Sequence, residues 1–129
     1  MARFAVIICL LALLAGCGGD DKQEAQQTVR DFVTALQNRD ADTFCDKLLT
    51  EEFLGEFSGG TGDKAKESCK RELKNVTGLQ DVKLVKIQST KVDGEEATVT
   101  AVLQRQGLRQ RQVYRLKKED GDWKLSGAG

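Results

Sequence analysis

The sequence has no histidine. Its absence removes the commonest general base near neutral pH and a common zinc ligand, and no metal or other cofactor is implied. There is no surplus of charge either: 20 basic and 20 acidic residues cancel, which gives no reason to expect a nucleic-acid partner. Nor does an apolar run of spanning length open the chain. Phe4 to Leu14 covers about a dozen residues, short of the ~20 that a helix needs to cross the hydrocarbon core. A nucleotide loop is also lacking. The stretch Ser58-Gly59-Gly60-Thr61-Gly62-Asp63-Lys64 has the glycines but neither the Gly-Lys-Ser/Thr ending nor a preceding strand, so it reads as a linker.

What the chain does carry begins at its amino terminus. Arg3 supplies a positive start, Phe4 to Leu14 an apolar centre, and Ala15-Gly16 the small residues that a signal peptidase needs. Leu13-Leu14-Ala15-Gly16-Cys17 then places a cysteine directly after the small pair, and this resembles the lipobox of bacterial lipoproteins. The resemblance implies a signal peptide over 1–16 and lipid on Cys17 as the mature first residue. It also implies a chain anchored to the cell membrane on the extracytoplasmic side. Two or more acyl chains hold such an anchor stably, at about 0.8 kcal/mol for each buried methylene. Gly18 to Lys22 reads as a flexible tether, so 17–23 is lipidated cysteine and tether, and 24–129 is one folded domain.

Export fits the remaining cysteines. Cys9 leaves with the signal and Cys17 takes the lipid, which leaves Cys45 and Cys69 to pair as a disulfide in an oxidising compartment. A reactive thiol or a zinc site is the alternative, but zinc would need further ligands in a chain without histidine.

Periodicity divides the domain into helices and then strands. Ala25, Val29, Phe32, Val33 and Leu36 recur at helical spacing and predict an amphipathic helix from about Asp21 to Asn38. Asp40 or Asp42 can cap a second helix that turns Phe44, Cys45, Leu48 and Leu49 inward. A further helical turn from Thr50 carries Phe53, Leu54 and Phe57. Asp63 is expected to cap a third helix with Ala65, Cys69, Leu73 and Val76 on its inner side. Beyond Gly78 the period becomes two. Strands are predicted over Val82 to Ser89, around Ala97 to Leu103, over Arg109 to Lys117 and at Trp123 to Leu125. Turns fall at Asp93-Gly94, Gly107 and Gly121. Val82 and Leu84 are out of phase with Val85 and Ile87, the mark of a bulge. Helices followed by a meander give an α+β domain, with the helices packed on one face of an antiparallel sheet.

The stretches VRDFVTALQNRDADTFCDKLLTEEF, KVDGEEATVTAVL and YRLKKEDGDWKLSG resemble a nuclear transport factor 2-like domain, the cone in which a curved sheet wraps a helical layer. Cysteines in the second and third helices behind a lipobox are similar to a set of bacterial lipoproteins of that fold. The resemblance implies fold and anchor, and also a homodimer paired through the open sheet face. Function does not follow from it. Catalytic relatives, the ketosteroid isomerases and polyketide cyclases, have a hairpin with a catalytic acid where Thr50 to Phe57 reads as helix here, so no catalytic residue can be matched and none is assigned.

Two groups of residues remain as candidate sites. Arg109, Arg111, Arg115 and Lys117 alternate along one strand and share a face, with Arg105 nearby. Such a basic surface could meet lipid head groups or anionic wall polymers, but a solvated sheet face that resists edge pairing is the reading the pattern favours. Gln110, Gln112 and Tyr114 alternate on the other face and, if that face is concave, would line a pocket in the cone, with an exposed hairpin tip as the alternative for Gln110 and Gln112. The sequence thus favours a non-catalytic binding or protein-interaction module of the cell envelope, whose partner is an envelope protein or a small ligand. A small-molecule binder using the cone and a proton-transfer enzyme of the isomerase/cyclase type are the alternatives.

Overall fold

The structure is a computed structural model that describes residues 17–129, with side chains from Asp20 onward; the signal peptide expected over 1–16 lies outside the described residues. Helix α1 spans Cys17–Asn38 and buries Ala25, Val29 and Val33. It begins ahead of the expected Asp21 and takes residues 17–23, read above as a tether, into the helix. Two interactions favour the longer helix. Asp20 lies in the first turn, where a carboxylate complements the helix dipole, and Asp21 pairs with Lys118 at 2.9 Å, which pins that turn to the sheet.

Helix α2 (Ala41–Lys47) is capped by Asp40, whose carboxylate accepts the Thr43 amide at 3.2 Å. Leu48 and Leu49 follow it and are buried, Leu49 bridging Leu125 in parallel through Thr50 N to Leu125 O and Leu125 N to Leu48 O bonds of 2.9 and 2.8 Å. Helix α3 (Glu51–Ser58) is capped by the Thr50 hydroxyl. Of the three apolar residues it carries, Phe57 is 44% exposed. Leu54 takes the buried position one turn earlier, leaving Phe57 in the last turn with its edge on Phe44. Helix α4 (Gly62–Asn75) corrects a second expectation. Its N-cap is Thr61, with no side-chain bond, and Asp63 stands inside the first turn; Val76 is the C-cap and 43% exposed. The turn Gly59 to Gly62 holds three glycines at positive φ, so the chain re-enters the helix before Asp63 is reached.

The sheet has four antiparallel strands in the order β1 (Lys83–Asp93), β2 (Glu96–Arg105), β3 (Leu108–Glu119) and β4 (Asp122–Ala128). The predicted bulge is present and has a companion. Register shifts fall between Leu84 and Lys86 and between Ile87 and Ser89, leaving Val85 and Gln88 without partners in β2. All four helices lie on one side of the curved sheet. The core between them gathers Val29, Phe44, Leu54, Leu73, Val99, Leu116, Trp123 and Leu125. Thr28 ties α1 to β4 by a buried bond from its hydroxyl to the Trp123 carbonyl at 3.1 Å. Cys45 and Cys69 form a disulfide that joins α2 to α4, both residues being buried.

Candidate functional site

The face of the sheet turned to the helices is set by alternation in β2 and β3. Val99 and Ala101 pair with Tyr114 and Gln112, and Leu103 with Gln110. The three residues expected to line a pocket do share this face, but they meet different surroundings. Gln110 is exposed near the β2–β3 turn, Gln112 is partly buried, and Tyr114 is buried at 3% exposure. The Tyr114 ring packs edge-on against Phe32 at 5.6 Å, and Phe32 in turn stacks on Phe44 at 5.1 Å. Three of the chain's seven aromatic rings therefore pack together on this side of the sheet. Burial pushes the Tyr114 hydroxyl up to about 12, so it keeps its proton throughout the neutral range.

The opposite face is built differently. The pairings run in rungs: Lys83, Gln104 and Arg109; Lys86, Val102 and Arg111; Ser89, Thr100 and Val113; Lys91, Thr98 and Arg115; and last Asp93, Glu96 and Lys117. Arg109, Arg111, Arg115 and Lys117 are exposed on one face, and Lys83, Lys86 and Lys91 join them from β1. Plain alternation would have set Lys86 opposite Lys83 and Lys91. The bulges at Val85 and Gln88 bring all three to one side. The phase slip at Val82 to Ile87 could have aligned Lys83 with Lys86, whereas Lys91 joins them only through the second bulge, at Gln88. Arg105 does not belong to the group. It pairs with Leu108 at the end of β2, on the helix side, and its guanidinium lies over Gly78, where a Cβ would come within 3.1 Å of Nη2.

Among the described residues none of these seven cations makes an ion pair; the pairs present use Lys70, Lys118 and Lys124. Arg115 leans toward β4 across Gly127, whose missing side chain leaves the room. Beside it a cleft of about 270 Å³ is rimmed by Glu52, Glu96, Arg115 and Lys117. A second cleft, about 400 Å³, lies between α1, α2 and the β3–β4 turn and borders Glu24, Asp31, Lys47 and Trp123. Neither touches Gln110, Gln112 or Tyr114. At the end of the sheet where α1 starts the charge is reversed: Asp93, Glu95, Glu96, Glu119, Asp120 and Asp122 crowd the two turns. There the hydrogen bond from Lys118, followed by its charge and the nearby Trp123 indole, holds Asp21 below the usual carboxylate range. Lys118 is raised by the same bond.

No protein-family model and no curated protein sequence matches the chain. Solved structures do. A nuclear transport factor 2-like protein of unknown function from Shewanella oneidensis superposes with a TM-score of 0.58 at 18% identity, over 84% of this chain and 96% of the other. A ketosteroid isomerase candidate from Kribbella flavida gives 0.51 at 23% identity, over 82% and 77%. A de novo designed protein with a curved β-sheet gives 0.53 at 16%, over 81% and 96%. At these identities the likeness is one of fold: helices packed on a curved four-stranded antiparallel sheet, the nuclear transport factor 2-like architecture expected from the sequence.

Proposed function

We propose that the chain is a lipid-anchored, extracytoplasmic interaction module that works through the outer face of its sheet and catalyses no reaction. The observation that carries this reading is the contrast between the two faces. Phe32, Phe44 and Tyr114 fill the interior where a ligand of the cone would sit, while seven exposed cations on β1 and β3 have no carboxylate partner among the described residues. The proton-transfer alternative fares worse. The sole tyrosine keeps its proton to about 12, and the chain offers no histidine as a base. The anchor rests on the Leu13 to Cys17 motif. Among the described residues no helix is long and apolar enough to cross a membrane, so lipid on Cys17 would be the membrane attachment of that part of the chain.

Intact-mass spectrometry of the exported full chain tests the reading. The expected species starts at Cys17, carries acyl chains and holds no stoichiometric small molecule; Cys17→Ser shifts the chain from the membrane fraction to the soluble one. A mass without lipid, or a co-purifying ligand in the cone, overturns it.

A further inference from the structure

The outer sheet face is patterned as well as positive. In three of its five rungs a neutral β2 residue is flanked by a cation on each side: Gln104 between Lys83 and Arg109, Val102 between Lys86 and Arg111, Thr98 between Lys91 and Arg115. Neighbouring strands are about 4.8 Å apart, so the two cationic rows stand about 10 Å from one another, each about 5 Å from the β2 line. Along the strands successive rungs are about 7 Å apart. The third rung, Ser89 with Thr100 and Val113, is neutral throughout and separates the first two cationic rungs from the fourth, and the fifth brings in Asp93 and Glu96. The face therefore has a direction. It is open at the β2–β3 hairpin and closed by acid at the end where α1 begins.

We infer that this face is a track for one extended polyanion, a linear phosphodiester polymer lying along β2 between the two rows of cations. A single chain charged about every 7 Å would set an anion between two cations at the first, second and fourth rungs and pass over the neutral third, with the Thr98, Thr100 and Gln104 side chains offering hydrogen-bond donors beneath it. A bilayer surface fits less well. Its head groups would have to meet Asp93 and Glu96 together with the cations, and the turns at that same end add Glu95, Glu119, Asp120 and Asp122. If Cys17 carries the anchor, helix α1 starts at the anchored residue, and this acidic end stands nearest the membrane with the open end of the track pointing away. The inference rests on the proposed anchoring for its compartment alone; the track itself rests on strand register.

Fluorescence anisotropy with labelled poly(glycerol phosphate), titrated at several salt concentrations, tests it on the full chain carrying Cys17→Ser. Six contacts predict a log-log salt slope of about −4, and replacing Lys83, Lys86 and Lys91 by Gln, or Arg109, Arg111 and Arg115 by Gln, should each reduce the slope by about 2. A triple change of Lys64, Arg71 and Lys74 to Gln on α4 removes the same charge and should leave it unaltered. Equal weakening by the α4 change would reduce the effect to net charge and overturn the track. So would tighter binding to phosphatidylglycerol vesicles than to the polymer, or no binding to either. The intact mass of the native chain is read separately, so polymer binding without lipid, and lipid without polymer binding, point to different failures.

Discussion

Tyr114 shows how one residue reports on the state of the cone. It is the only tyrosine in the chain, so tyrosinate absorbance has a single source. Its folded value lies near 12 against an ordinary 10.0 because burial disfavours the charged form. A folded value raised above the unfolded one contributes stability that is fully present below pH 10 and is lost as pH rises through about 12. The native chain should therefore titrate near 12 and the urea-unfolded chain near 10, and Tyr114→Phe should remove this part of the alkaline loss. A native midpoint near 10 would mean that the ring is open to water and the cone is not filled. Alternation alone set Tyr114 on the face of β3 opposite the basic row, but whether that face met the helices, and whether the ring would wall a pocket or plug one, depended on Phe32 and Phe44, which approach it from other elements.

Among the elements, α2 depends most on its neighbours. Seven residues are too few to hold a helix in water, since isolated helices shorter than about 12 to 15 residues are marginal. Its cap at Asp40, the buried Phe44 and the Cys45 bond to α4 supply what length does not. Closing a loop of 24 residues constrains the unfolded chain by about 3 to 4 kcal/mol in the entropy model. Urea unfolding of the reduced chain, followed by the single tryptophan, should fall short of the oxidised chain by about that amount. A difference below about 1 kcal/mol would mean that α2 and α4 stay docked without the bond. The Thr50 cap makes a smaller test, with Thr50→Ala expected to lose about 1 kcal/mol. Element order, Asp40 as one of two cap candidates, the helical turn from Thr50 and the bulge near Val85 were all legible, because each is a local pattern. The start of α1 was not, because it depends on Lys118, nearly a hundred residues away. Nor was the alignment of Lys83, Lys86 and Lys91. One bulge was readable from phase, but the second, at Gln88, is defined only by the pairing with β2.

For the whole molecule, the absence noted first becomes a physical property. A chain without histidine, whose Cys45 and Cys69 are locked in a disulfide, has no side chain within residues 20–129 that ordinarily titrates between about pH 5 and 9. Folding stability should then be flat across that range, because protons bound by the folded and unfolded chains differ only where groups titrate. The acid limb belongs to Asp21, held down by the hydrogen bond and charge of Lys118, and to Asp40, held down by the Thr43 side chain and amide. Both folded values lie below 3.8, so their contribution is present above that pH and is lost as pH falls through the folded values. Stability measured by urea unfolding at intervals from pH 3 to 9 should show a plateau above about pH 5 and a fall below it. Asp21→Asn should lower the plateau and flatten the fall, since the asparagine neither pairs with Lys118 nor titrates. A step between pH 6 and 8 would contradict this account, because within residues 20–129 no side chain is available to produce it.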